Sequence, residues 1–100
     1  MMLLTKANLE ALPPLGSQDG KGEDAVAQVK FFAPWTSWTW WASEYDPATR
    51  TFFGLVEGLE TELGYFTLDE LESIKGPGGL RVERDLWFKP VPMRELHKNR

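Results

Sequence analysis

The sequence has no cysteine and a single histidine, His97, among its 100 residues. Without cysteine the chain has no disulfide, no thiolate nucleophile and no cysteine-based zinc or iron–sulfur site, and this is compatible with a reducing, intracellular environment. His97 lies near the C-terminal end, and no serine has a histidine partner within a predicted helix or strand. The sequence therefore predicts that the protein is not an enzyme, and no cofactor is expected.

Long apolar runs are also lacking. The run MMLL at the N-terminus is ended by Thr5 and Lys6, well short of the roughly 20 apolar residues of a membrane-spanning helix and of the apolar region of a signal peptide. We therefore expect a cytoplasmic protein that does not enter the membrane. A length of 100 residues predicts one domain, residues 1–100.

Positive charge is scarce before residue 81. Residues 1–80 carry five Lys or Arg and twelve Asp or Glu. Residues 81–100 carry six Lys or Arg and three Asp or Glu. Proteins that bind nucleic acid normally present a basic face, so the acidic part of the chain is not expected to bind it. Arg81, Arg84 and Lys89 are the candidates for contact with phosphate groups.

Five acidic residues lie close together in the sequence and are predicted to form an acidic surface. They are Glu44, Asp46, Glu57, Glu60 and Glu62. A solvated face is the ordinary interpretation of such a group. Two alternatives stay open: the charges imitate those of nucleic acid, or paired carboxylates bind a metal ion for hydrolysis. No metal site is predicted.

Periodicity and turn signals predict an α+β fold, a twisted antiparallel sheet of four to five strands with two helices. The predicted strands are 25–33, 38–45, 51–57, 62–66 and 80–88. Thr5 is the predicted N-cap of a short N-terminal helix, and Thr67 with Glu70 forms a capping box that begins a second helix at about 68–75. We expect a mobile loop at about 16–24, and a helical turn or a frayed basic tail at about 93–100.

Aromatic residues are concentrated in residues 29–66, which hold eleven of the thirteen. Strict alternation along the strands divides them between two faces of the sheet. Phe31, Trp38, Trp40, Phe53 and Leu55 are predicted to form the core. The opposite face, together with the loop before the second strand, is predicted to bind a protein partner through Phe32, Trp35, Trp41, Tyr45 and Phe52. Burial of these rings in the core or in a homodimer is the alternative.

Three segments carry a family resemblance: KFFAPWTSWTWWASEYD, FFGLVEGLETELGYFTLDELESIKG and ERDLWFKP. With their order along the chain, they resemble domain-of-unknown-function family 2958, small prokaryotic proteins. The resemblance implies a cytosolic protein carried on plasmids, phages or integrated elements, in some cases fused to proteins that process DNA. It implies no catalytic residue.

The sequence favours a non-catalytic, protein-binding accessory protein that acts through an aromatic sheet face, and the resemblance implies that it serves mobile genetic elements. Two alternatives remain. One is an anti-restriction or anti-CRISPR inhibitor that uses the acidic surface, and the other is a binder of single-stranded nucleic acid that stacks bases on aromatic rings.

Overall fold

The computed structural model describes residues 2–98 and confirms the α+β prediction. The helices are α1 (Lys6–Ala11), α2 (Leu68–Ser73) and α3 (Arg94–Lys98), and short 3₁₀ turns lie at Gly22–Asp24 and Pro77–Gly79. The strands are β1 (Val26–Ala27), β2 (Val29–Phe32), β3 (Thr39–Asp46), β4 (Thr51–Glu57), β5 (Thr61–Thr67), β6 (Glu83–Arg84) and β7 (Val91–Pro92). The main sheet is antiparallel with the order β5–β4–β3–β2–β6, and β1 and β7 form a separate pair. No helix within residues 2–98 is long and apolar enough to cross a membrane.

Both predicted N-caps are present. The Thr67 hydroxyl accepts from the Glu70 amide at 3.0 Å, and the Glu70 carboxylate accepts from the Thr67 amide at 3.2 Å. Thr5 forms the same reciprocal pair with Asn8. Helix α2 is shorter than predicted because Ile74 takes an extended conformation and Lys75 forms a backbone bridge elsewhere in the chain.

Two of the predicted strands are interrupted. The segment predicted as 25–33 divides into β1 and β2, because β1 pairs with β7 while β2 joins the main sheet. The segment predicted as 80–88 contains only β6. It ends there because the Asp85 carboxylate accepts from the Trp87 amide at 2.9 Å, a local side-chain bond that favours a turn over a continued strand.

A β-bulge at Ser43 determines which side chains share a face. Ala42 pairs with Gly54 and Glu44 with Phe53, so Ser43 is the extra residue of β3. Its hydroxyl donates to the Phe53 carbonyl at 3.1 Å. The two backbones approach so closely here that a Cβ on Gly54 would lie 1.8 Å from the Trp41 carbonyl oxygen. The bulge therefore requires glycine at position 54.

We call the sheet face that carries Phe31 and Trp40 the front face. Its core centres on Phe52, whose ring lies 4.6 Å from Tyr45, 5.1 Å from Phe66 and 5.4 Å from Phe31, between centroids. Each such aromatic pair contributes about 0.5–1.5 kcal/mol beyond its buried area. Leucines of the N-terminal segment and of α2 cover this face: Leu3, Leu4, Leu12, Leu68 and Leu71.

The opposite face, the back face, has a smaller core. Trp41 and Leu55 are buried there beneath Met93 and Leu96. The Arg94 side chain also forms an ion pair with Asp24. The tail predicted at about 93–100 therefore contains a helix, and it packs on the back face through Met93 and Leu96. Residues 99–100 lie outside the described residues.

The loop predicted at 16–24 is attached to β3. The Glu44 carboxylate accepts from the Gly16 amide at 2.7 Å and from the Gln18 amide at 2.9 Å. The Gln18 side chain donates to the Ser43 carbonyl at 2.8 Å and accepts from the Val26 amide at 2.9 Å. These bonds join the start of the loop to the bulge. Its mobility stays a prediction.

Candidate functional site

Three of the aromatic side chains predicted to face a partner are inside the protein. Tyr45 and Phe52 belong to the front-face core and Trp41 to the back-face core, and all three are buried. The expectation that they are exposed is wrong. For Tyr45 and Phe52 the physical cause is the bulge, because one extra residue in β3 transfers them to the face of Trp40. Trp41 is buried because Met93 and Leu96 cover the back face.

The assignment of the core also needs correction. Trp38, predicted to be a core residue, precedes β3 and is 38% exposed. Phe53 lies on the back face, where its ring contacts the exposed Tyr65 ring at a centroid distance of 5.0 Å. Trp40 and Phe31 are buried on the front face as predicted.

The two remaining aromatic candidates, Phe32 and Trp35, are partly exposed but lie in different places. Phe32 lines a depression together with Leu86 and Trp87. Trp35 lies in the loop between β2 and β3. The structure therefore does not assemble the five predicted aromatic residues into one surface.

A different aromatic site is present at the end of the front face that α2 leaves partly open. We call it the Trp groove, and it lies between the β2–β3 loop and α2 with a volume of about 380 Å³. Three tryptophans line it, Trp35, Trp38 and Trp40. The rings of Trp38 and Trp40 lie 5.9 Å apart at an angle of 31°. Phe66, Leu71 and Ile74 complete its apolar lining.

The two outer rings of the Trp groove are each packed against a glycine. A Cβ on Gly58 would lie 2.2–2.6 Å from ring carbons of Trp38. A Cβ on Gly76 would lie 2.5–2.6 Å from ring carbons of Trp35. Side-chain atoms do not approach that closely, so only glycine leaves room for the rings in these positions. The rings are thus held in place while one side of each borders the groove.

A second hollow continues the Trp groove towards the β4–β5 turn. It has a volume of about 440 Å³ and shares Trp38 with the first. Its other lining residues come from β4, the turn and β5: Val56, Leu59, Glu60, Glu62, Leu63, Gly64 and Tyr65. Trp38 is thus the residue common to a trough that extends from α2 to the end of the β4–β5 hairpin.

The charged groups along this trough are mostly acidic. Glu70 and Lys75 line the Trp groove on the α2 side, and Glu60 and Glu62 line the second hollow. All four side chains belong to exposed residues. The trough therefore combines indole rings with a net negative charge.

The five predicted acidic residues do not form one surface. Glu44 is only 3% exposed and holds the 16–24 loop, which corrects its assignment to the acidic surface. Asp46 accepts from the Ala48 amide at 3.0 Å and from the Thr49 hydroxyl within the β3–β4 turn. Glu57, Glu60 and Glu62 lie at the other end of the sheet, around the β4–β5 turn.

The cations proposed for phosphate contact are separated as well. Arg81 donates to the Glu72 carbonyl at 3.0 Å, and Arg84 donates to the Met2 carbonyl at 2.6 Å. Lys89 is exposed beyond β6. The side chains of Arg81 and Arg84 therefore link separate segments of the chain by hydrogen bonds to backbone carbonyl groups.

The described residues contain no group of three or more His, Asp or Glu side chains that could hold a metal ion. The carboxylates that the hydrolase alternative required are divided between the two ends of β3 and β4. The candidate site that we consider further is the Trp groove, whose three tryptophans and apolar lining are suited to binding apolar or cationic groups.

Sequence reasoning found Trp35 but missed most of the groove. Glu70, Ile74 and Lys75 come from α2 and the residues after it, and no sequence pattern places them opposite Trp35. One available signal was the segment Pro34 to Trp38, where a proline precedes two tryptophans that are separated by two small polar residues. Such a segment is typical of a loop that presents its rings, not of a buried strand.

No curated protein and no solved structure matches the chain. A family model does match it, over residues 3–96, which is almost its whole length. The chain therefore belongs to the family of proteins of unknown function DUF2958, which confirms the resemblance.

Proposed function

We propose that the protein is a non-catalytic protein-binding domain and that the Trp groove is its binding site. The observation that carries this proposal is the packing of Trp35 and Trp38 on Gly76 and Gly58. Glycine at both positions leaves space for partly exposed rings that a side chain there would displace.

Fixed tryptophan rings are well suited to binding a protein. A tryptophan offers a large apolar area, and little conformational entropy is lost when an already ordered ring is covered. Tryptophan is also enriched among the residues that dominate binding energy at protein interfaces. Trp38 borders both hollows of the trough, so it is the expected centre of the contact.

Other exposed apolar side chains support a binding site less well. Trp87 is 89% exposed, and Leu86 beside it is exposed too. The depression they border is mixed in charge, with Lys30 and Arg84 as well as Glu83 and Asp85. Trp87 also lines a hollow of about 520 Å³, whose charged lining is mixed too. Single exposed apolar residues are common on protein surfaces.

The remaining functional expectations stay predictions. Action on behalf of a mobile genetic element, a cytoplasmic location and the absence of catalysis rest on the sequence and the family resemblance. An anti-restriction or anti-CRISPR role would use Glu57, Glu60 and Glu62 around the β4–β5 turn.

The proposal is tested by affinity capture from a prokaryotic lysate with the wild-type protein and with Trp35→Ala, Trp38→Ala and Trp87→Ala variants. Trp87→Ala is the matched control, because it removes a more exposed tryptophan that lies outside the groove. Captured proteins are then purified and titrated against each variant. Thermal unfolding of each variant verifies that it is folded.

We expect a protein that binds the wild type and Trp87→Ala but binds Trp35→Ala and Trp38→Ala at least about tenfold more weakly, in line with the loss caused by truncating an interface tryptophan. Equal binding of every captured protein to all folded variants would overturn the proposal.

A further inference from the structure

We infer that the Trp groove binds an arginine side chain presented by a linear segment of the partner protein. This inference rests on the proposed protein-binding function and specifies the chemistry of its ligand. It depends on the rings that line the groove and on the carboxylates placed at the two ends of the trough.

The rings provide the first half of the recognition. The face of an indole carries partial negative charge and attracts a cation placed over it, more strongly than a phenylalanine or tyrosine ring does. Trp38, which is 38% exposed, offers such a face, and the partly exposed Trp35 lines the same groove. The buried Trp40 ring lies 5.9 Å from Trp38, between centroids, and adds to the aromatic lining. An apolar side chain of the partner would gain from burying the ring surface but would not be attracted by the negative charge on the ring face.

Carboxylates provide the second half. Glu70 lies at the α2 side of the trough, and Glu60 and Glu62 lie at the side of the β4–β5 turn. Within the lining of the two hollows, Lys75 is the one cation against these three acids. A cationic segment that crosses Trp38 therefore meets acidic groups in both directions, whereas an acidic peptide or a nucleic-acid strand meets repulsion.

Glu70 can take part without loss of its structural role. Its Oε1 atom accepts from the Thr67 amide at 3.2 Å and from the Thr67 hydroxyl at 3.1 Å. A carboxylate has two oxygens and about four lone-pair positions, so these two bonds leave capacity for a guanidinium group. Glutamine at the same position also completes a capping box, so Glu70→Gln removes the charge and keeps the helix start.

Arginine fits this site better than lysine does. The guanidinium group is planar, it stacks on aromatic faces, and its paired N–H donors match a carboxylate. The ammonium group of lysine is compact and more strongly hydrated, so it loses more when it leaves water to contact a ring.

The test begins with a random peptide library displayed on phage, selected on the wild-type protein after peptides that also bind Trp38→Ala have been removed. A selected peptide is synthesised with its arginines unchanged, replaced by lysine, or replaced by citrulline. Citrulline has nearly the shape of arginine but carries no charge. Each peptide is titrated against the wild type, Glu70→Gln and Trp87→Ala.

We expect arginine to be enriched among the selected peptides, and citrulline to weaken binding about tenfold through the loss of one cation–π contact and of the attraction to exposed carboxylates. Lysine should bind with intermediate affinity. Glu70→Gln should weaken the arginine peptide about threefold and leave the citrulline peptide unchanged. Trp87→Ala should bind like the wild type.

Selected peptides without arginine enrichment, or with affinity that citrulline does not change, would overturn the arginine inference and leave the protein-binding proposal standing. A library that yields no peptide dependent on Trp38 would also overturn the inference. The protein-binding proposal is then decided separately by whether Trp38→Ala loses a captured cellular protein.

Discussion

The indole ring of Trp38 packs against the backbone of Gly58, 20 positions further along the chain, with no space between them for a methyl group. Gly58 lies in the turn between β4 and β5 and its φ is not positive. Its conformation does not require glycine. We therefore attribute glycine at this position to the ring that it accommodates.

This contact predicts the behaviour of Gly58→Ala. The new methyl group must displace the Trp38 ring, which lies at the edge of the core and can turn towards solvent. We expect the free energy of unfolding to change by less than about 1 kcal/mol, because the displaced ring is partly exposed and alanine lowers the entropy of the unfolded chain. Partner binding should fall as far as in Trp38→Ala.

Gly64→Ala is the control for this change, since a Cβ at position 64 meets no atom within 4 Å. The measurements are urea unfolding and the chemical shift of the Trp38 indole N–H. An unchanged Trp38 resonance in Gly58→Ala would contradict the close packing described here.

Gly54→Ala should have a much larger effect on stability. The added Cβ would lie 1.8 Å from the Trp41 carbonyl oxygen, and a backbone atom in a paired strand cannot turn away as an exposed ring can. We expect a loss of about 3 kcal/mol in the free energy of unfolding. Gly64, the partner of Gly54 across β4 and β5, is again the control, and a similar loss in both variants would contradict this account of the bulge.

The Glu44 carboxylate, which the sequence assigned to the acidic surface, is predicted to stabilise the fold through its hydrogen bonds to the 16–24 loop. Glu44→Ala removes the acceptor of the Gly16 and Gln18 amides. Hydrogen bonds to a charged group contribute about 1.5–3 kcal/mol, so we expect unfolding to become easier by about 2 kcal/mol. Glu60→Ala, at an exposed position, should stay within about 0.5 kcal/mol of the wild type. Equal stability of the two variants in urea would refute the prediction.

We predict that the ionisation of Tyr45 makes the free energy of unfolding depend on pH in the alkaline range. Burial raises the pKa of its hydroxyl, and the carboxylates of Asp69, Glu72 and Asp46 raise it further against the opposing effect of Arg50. Folding therefore favours the protonated hydroxyl. Its contribution to stability is complete below the ordinary tyrosine pKa of about 10 and decreases as pH rises above that value.

The measurement is the free energy of unfolding in urea as a function of pH, compared between the wild type and Tyr45→Phe. The wild type should lose stability more steeply above pH of about 10, since phenylalanine has no proton to release. Parallel curves would show that folding does not alter the ionisation of Tyr45.

The elements of the fold were largely predictable because they depend on local chemistry. Thr67 and Glu70 mark the start of α2, and the run from Thr51 to Glu57 forms β4 as predicted. These signals act within a few residues and are readable from the sequence alone.

The distribution of side chains between the faces was not predictable, because it depends on Ser43. With Asp46 paired to Thr51, an unbroken hairpin would place Trp41 on the face of Tyr45 and Phe52, as strict alternation predicts. The bulge shifts the register by one residue and separates Trp41 from them. The sequence also does not indicate which residue packs against an aromatic ring. Gly76 leaves space for Trp35 and Gly58 leaves space for Trp38, and each glycine is distant from its tryptophan along the chain.

Contact between a partner and the Trp groove can be observed directly by NMR. The five tryptophans provide five indole N–H resonances, and these report on the groove, on the back-face core and on the exposed Trp87 separately. On titration with a captured partner or a selected peptide, we expect shifts for Trp35, Trp38 and Trp40, with Trp41 and Trp87 unchanged. Shifts confined to Trp87, or binding that leaves the three groove resonances unchanged, would contradict this expectation.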